Sequence, residues 1–165
     1  MKILFICTGN ICRSPTAEAI ARQKAIIYGV GEEFIFDSAG INSIHSGESP
    51  DPRAVEVGEK YCISFDGIKS RQIQEQDFAK FDLILAMAKN HYDNVLKICP
   101  KQYQNKVHLL LQYCQVENKH NDEVYDPYYK GKEGFEEVFH LIDDAITNLF
   151  EERRNEDYLN KNQNA

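Results

Sequence analysis

The sequence predicts an α/β fold: a single-domain, doubly wound four-stranded parallel sheet with helices on both faces. Three observations predict it. Short apolar runs alternate with longer segments of helical periodicity, in the order β-α-β-α-β-α-β-α. The strand-like runs are apolar almost throughout, as strands covered on both faces are. The 165 residues carry no internal repeat, low-complexity tract or linker, so one core suffices.

The elements follow in order. Lys2 to Ile6 reads as a buried strand. Ser14-Pro15 opens a helix, with serine as the cap and proline at the first helical position. Thr16 to Tyr28 is Ala- and Ile-rich at helical spacing, and Gly29 and Gly31 end it. Glu33 to Ser38 is a second strand, followed by a Gly/Ser/Pro-rich loop from Ala39 to Pro50. Asp51-Pro52 begins the next helix. Asp82 to Met87 is a third strand, His91 to Cys99 a helix stopped by Pro100, and Lys106 to Leu111 a fourth strand. In the last helix Phe135, Val138, Phe139, Ile142, Ala145, Ile146, Leu149 and Phe150 draw one apolar stripe. The domain is expected over 1–153. A polar, disordered tail is expected over 154–165.

Composition narrows the function classes. The formal net charge is −7, and no basic run offers a surface to nucleic acid or to an anionic membrane. No apolar run reaches the ~20 residues that cross a bilayer, and Thr8-Gly9-Asn10 breaks the short apolar start. Five cysteines, an odd number, point to a reducing compartment and a soluble cytoplasmic protein. Cys7 and Cys12 have no matching Cys or His pair, so no metal site is expected.

In a fold of this kind ligands sit beyond the carboxyl ends of the strands. The first such turn is Cys7-Thr8-Gly9-Asn10-Ile11-Cys12-Arg13-Ser14. Its backbone N–H groups, at the positive end of a helix, can form a nest for a tetrahedral oxyanion. Gly9 lets it curl, and Asn10 tolerates left-handed angles. Arg13 offers a planar fork for bidentate phosphate contact. The same dipoles favour the Cys7 thiolate, a nucleophile toward phosphorus, and Ser14 can donate a hydrogen bond to the sulfur. A Cys and an Arg six apart are common by chance; their setting between a buried strand and a helix start gives them weight. Asp126, stiffened by Pro127 and followed by Tyr128 and Tyr129, is the candidate acid for the leaving oxygen. The two tyrosines can wall a cleft for a flat aromatic group.

These residues resemble the low-molecular-weight protein tyrosine phosphatases. The matching elements are Cys7 through Pro15, Asp37-Ser38-Ala39-Gly40, Asp51-Pro52-Arg53-Ala54, Ser70-Arg71-Gln72, Asp77-Phe78 through Met87, and Asp126-Pro127-Tyr128-Tyr129. They cover about residues 1–150, in family order. The resemblance implies a phosphocysteine intermediate on Cys7. It implies that Arg13 and the amides of Thr8, Gly9, Asn10, Ile11, Cys12 and Ser14 hold the phosphoryl oxygens. Asp126 would act first as acid and then as base, and Asn10 would brace the loop through Ser38. It also implies a reversible Cys7–Cys12 disulfide under oxidation, and neither metal nor cofactor. The partners would be tyrosine-phosphorylated proteins or peptides, with inorganic phosphate as product, and the enzyme a monomer or weak dimer.

Three positions depart from the family's usual residues. Ile44 stands where an aromatic often packs on the substrate ring. Ile68 stands where many members have a histidine, removing a polar support for the loop. Ala88 stands where an acid commonly follows the methionine. Two related chemistries are rivals. Protein-arginine phosphatases share Cys-Thr-Gly-Asn, but carry Thr in place of Ile11 and continue the acid segment with Phe-Gly. Thioredoxin-coupled arsenate reductases share the fold and start, but need two further cysteines in a mobile loop, where only Cys99 lies near. A non-catalytic phosphate-binding module would not need Asp126. The five histidines read as surface or capping residues.

Overall fold

The structure is a computed structural model, and it describes residues 1–115 and 123–163, with side chains to residue 155. Four parallel strands, β1 (Lys2–Cys7), β2 (Ile35–Gly40), β3 (Leu83–Ala86) and β4 (Val107–Leu109), form one sheet in the order β2-β1-β3-β4. The expected sheet is therefore present. β1 is central and pairs with β2 from Lys2↔Ile35 to Cys7↔Gly40, and with β3 from Ile3↔Leu83 to Ile6↔Ala86.

The apolar run of β1 splits by parity, because successive side chains point to opposite faces. Ile3, Phe5 and Cys7 join the larger core, which also holds residues of α1 (Arg13–Ile27) and α5 (Gly131–Gln163). Leu4 and Ile6 join the smaller core with Phe78 and Val95, from α3 (Glu75–Lys80) and α4 (Lys89–Ile98). Both faces are thus covered, which is why the strand needs no polar residue. The stripe read on the last helix lies in the larger core, from Phe135 to Phe150.

Several boundaries move for physical reasons. Ser14 is not the cap of α1; Cys12 is, and Ser14 lies inside the first turn, with its hydroxyl turned to Asn10 and Cys7. Gly29, at φ 72°, supplies the left-handed turn that ends α1. The helix α2 (Pro52–Lys60) begins as expected: the Asp51 carboxylate accepts from the Arg53 N–H at 2.9 Å, and Pro52 takes the first position. The fourth strand is shorter than expected, because Leu110–Tyr113 forms a 3₁₀ turn. The short α3 was not expected; Gln74 and Asp77 cap it reciprocally.

The expected tail does not begin at residue 154. α5 continues to Gln163. The Glu, Arg and Lys residues there are good helix formers, and Arg154 lies over the Tyr28 ring at 5.8 Å. Among the described residues, no helix is long and apolar enough to cross a membrane.

Candidate active site

The site forms where the chain leaves β1 and enters α1. Connections depart to opposite sides there, β2 on one flank and β3 on the other, so a crevice opens beyond the strand ends. Residues 7–14 curl through it. Asn10 takes φ 56°, the left-handed conformation its side chain tolerates. At Gly40 the loop and β2 almost touch: a Cβ would lie 2.8 Å from the Thr8 carbonyl oxygen.

A cleft of about 270 Å³ sits on this loop. Cys7, Thr8, Gly9, Ile11, Cys12, Arg13, Ile44, Asp126, Tyr128 and Tyr129 line it, so the structure brings together ten residues singled out in the sequence. Asn42 and His45 line it as well and were not foreseen. Cys7 is only 2% exposed and lies at the base. Ile44, Tyr128 and Tyr129 form an exposed rim, with the two tyrosine rings edge to face at 4.9 Å.

Asn10, Ser14 and Ser38 lie behind the loop. The Asn10 amide donates to Ser14 Oγ and to Ser38 Oγ, each at 2.9 Å. Ser14 Oγ is 3.0 Å from Cys7 Sγ. Ser38 in turn donates to Glu18 at 2.5 Å. Glu18 is 2% exposed; burial raises its carboxyl, while Ser38 and Arg22 oppose that shift. Glu18 follows Ser14 by one helical turn, so its place on that face was legible as a charge within an Ala-rich stretch.

The support feared lost at Ile68 comes from its neighbours. Ile68 is buried in the apolar core. Ser70 Oγ donates to the Gly9 carbonyl at 2.9 Å, and the Arg71 N–H donates to Asn10 Oδ1 at 2.9 Å. Arg71 is itself fixed by Asp37 at 2.9 Å and Asp77 at 2.8 Å.

Arg13 is 5% exposed. Nη1 donates to the Val124 carbonyl at 3.1 Å, and Nη2 to Asp126 Oδ2 at 3.1 Å and Thr8 Oγ1 at 3.3 Å. Its Nε is buried without a partner among the described residues, a donor left for an oxyanion. Clamp and acid candidate are therefore adjacent, although 113 residues apart.

Cys12, which lines the cleft, also reaches Asp51, with Sγ 3.8 Å from Oδ2. Burial first, then the Asp51 charge, push its thiol well up, so it stays protonated beside Cys7. Asp51 is bound by Arg53, whose Nη1 also donates to the Tyr128 carbonyl at 2.8 Å. Burial alone would raise the Asp51 carboxyl; the Arg53 hydrogen bonds bring it below its usual value.

The histidines do not all lie at the surface. His91 is 1% exposed, with Nε2 2.8 Å from Thr8 Oγ1. His120 lies outside the described residues. His45 pairs with Glu48 at 2.9 Å beside the cleft.

A family model described as low molecular weight phosphotyrosine protein phosphatase matches residues 2–164. A Synechocystis relative assigned to the low molecular weight protein-tyrosine-phosphatases is 46% identical over 151 residues, covering 90% of this chain and 94% of its own. A low molecular weight protein-tyrosine-phosphatase of Bacillus subtilis is 41% identical over 142 residues, covering 86% and 88%. The crystal structure of a protein tyrosine phosphatase from Entamoeba histolytica superposes with TM-score 0.89 at 39% identity, covering 95% of this chain and 99% of that one. Loop, sheet order and these likenesses agree: the chain belongs to the low molecular weight protein-tyrosine-phosphatases, a family of hydrolases.

Proposed function

We propose that this protein hydrolyses phosphotyrosine in proteins or peptides, with Cys7 as nucleophile, Arg13 as phosphoryl clamp and Asp126 as general acid and base. The observation that carries the assignment is the meeting of three distant groups. A buried cysteine at the base of the loop, an arginine with an unsatisfied buried donor and a carboxylate at its side share one cleft.

The steps balance as follows. The Cys7 thiolate attacks phosphorus; the P–S bond forms and the P–O bond to the aryl oxygen breaks. Asp126 gives its proton to the leaving phenolic oxygen. Asp126, now a carboxylate, takes a proton from water, whose oxygen attacks phosphorus. The P–S bond breaks, the thiolate returns and inorganic phosphate leaves. Arg13 and the loop amides stabilise the charge on the equatorial oxygens in both steps. Ser14, 3.0 Å from the sulfur, donates to the thiolate as it departs.

The cleft supports an aryl ester over a shorter alkyl one. Cys7 lies beneath a rim of Ile44, Tyr128 and Tyr129, so the phosphorus must reach down to it on a long, flat group. Ile11 lines the same cleft and offers a guanidinium group no polar partner, which disfavours phosphoarginine. Five free cysteines support a reducing, cytoplasmic setting. We place the protein there as a monomer or weak dimer.

The test is a panel of phosphotyrosine, phosphoserine and phosphoarginine peptides and arsenate, with Cys7→Ser as control. Turnover of phosphotyrosine alone, abolished in the variant, is the expected result. Faster phosphoarginine hydrolysis, or arsenate reduction with thioredoxin, overturns the substrate assignment.

A further inference from the structure

We propose that His91 is a positioning residue for the Arg13 clamp, acting through the Thr8 hydroxyl. The inference rests on the reading of Arg13 as the phosphoryl clamp and extends it to a residue on another element.

His91 lies in the first turn of α4, 83 residues from Thr8 in sequence. It is almost wholly buried, and its Nε2 is 2.8 Å from Thr8 Oγ1. The same oxygen lies 3.3 Å from Arg13 Nη2. Arginine only donates, so Thr8 Oγ1 accepts that bond. His91 Nδ1 is buried with no partner among the described residues. A buried N–H without an acceptor is rarer and costlier than an idle lone pair, which places the ring proton on Nε2. His91 therefore donates to Thr8. The threonine oxygen accepts from both sides, and its own hydrogen is left for the cleft that Thr8 lines.

The arrangement matters because Nη2 has two acceptors of different kinds. Asp126 Oδ2 is one, at 3.1 Å, and Asp126 must leave it to protonate the aryl oxygen. Thr8 is the other, and it stays. With Val124 holding Nη1 at 3.1 Å, Thr8 keeps the fork in place once the carboxylate has turned away. His91 fixes the Thr8 hydroxyl in the rotamer that does this. The ring is neutral, since burial first and the Arg13 charge second hold its pKa down at about 3. A neutral ring supports the guanidinium without repelling it. Position 88, at the start of α4, is alanine and adds no charge; the acid at this helix end is Glu123, which accepts from the Lys89 N–H at 2.7 Å.

The experiment is titration of inorganic phosphate into the folded Cys7→Ser protein by calorimetry, alone and with substitutions at Thr8 and His91. Thr8→Val and His91→Phe should each weaken phosphate binding about tenfold, the scale of one hydrogen bond to a charged group. The double variant should be no weaker than Thr8→Val alone. His91→Gln, whose amide can reach where Nε2 stood, should stay within about threefold of the parent. Additive losses, or unchanged affinity in His91→Phe protein that melts normally, overturn the proposal. His91→Asn, too short to reach Thr8, replaces His91→Phe if the latter does not fold, with the same expected loss. Phosphate binding that follows this pattern in a protein whose Cys7 form hydrolyses no aryl phosphate would sink the phosphatase reading and leave the positioning role standing. Aryl phosphate turnover without the pattern would do the reverse.

Discussion

At the residue scale, Arg13 and Asp126 explain each other. The carboxylate is half-exposed and salt-bridged to a buried guanidinium; in the proposed mechanism it turns from that partner and, in its protonated form, donates to the leaving oxygen. Asp126→Asn should lower kcat on phenyl phosphate by roughly 10²–10⁴, the usual cost of a lost general acid. An ester with a better leaving group should suffer less, and steady-state comparison of the two checks it. His91 gives a pH effect. Its pKa is about 3 when folded, against an ordinary value of 6.5, so the unfolded chain binds the extra proton between those values. Stability should therefore fall as pH drops from about 6.5 toward about 3. His91→Gln should flatten that part of a melting-temperature profile. An unchanged profile would place the acid sensitivity elsewhere. That Cys7, Arg13 and Asp126 would share one cleft was legible in the sequence because each sits in a distinctive local string. His91 was not: nothing near it announces a bond that spans 83 residues.

At the scale of elements, the loop from Cys7 to Ser14 owes its shape to neighbours as much as to itself. Gly9 and Asn10 announced a curled backbone, and Asn10 does turn left-handed. The need for Gly40 was hidden, because it comes from the Thr8 carbonyl and not from its own backbone angles. Gly40→Ala should cost about 1–3 kcal/mol, the range for overpacking, read from urea denaturation. The acid segment depends on α2 in a similar way. Arg53 grips the Tyr128 carbonyl at 2.8 Å, lies over its ring at 5.0 Å, and binds the Asp51 cap. Arg53→Leu should free that segment, lowering kcat on aryl phosphates several-fold while inhibition by inorganic phosphate stays constant. Equal loss in both would mean that the phosphate loop, not the acid, had moved. The Ser70-Arg71 support was visible as a motif, but its task of bonding Gly9 and Asn10 required the fold.

At the scale of the whole molecule, the sheet order β2-β1-β3-β4 makes β1 the switch point and puts its carboxyl end at a crevice. The alternation of apolar runs and helical segments announced this architecture, because a strand buried on both faces reads as a continuous apolar run. The extent of α5 was less legible: after Phe150 its sequence is mostly charged and polar, so the apolar stripe of its earlier turns gave no signal that the helix continues to Gln163. The fold collects Cys7, Arg13 and Asp126 from both ends of the chain, and the account stands on their acting together through a phosphocysteine. The most direct measurement is rapid quenching of the wild-type enzyme during turnover of a phosphotyrosine peptide, followed by mass spectrometry of its peptides. The account predicts a phosphoryl group on Cys7 that forms before phosphate is released and accumulates in Asp126→Asn with a good leaving group. Turnover with the phosphoryl group on another residue, or undiminished turnover in Cys7→Ser, would contradict it.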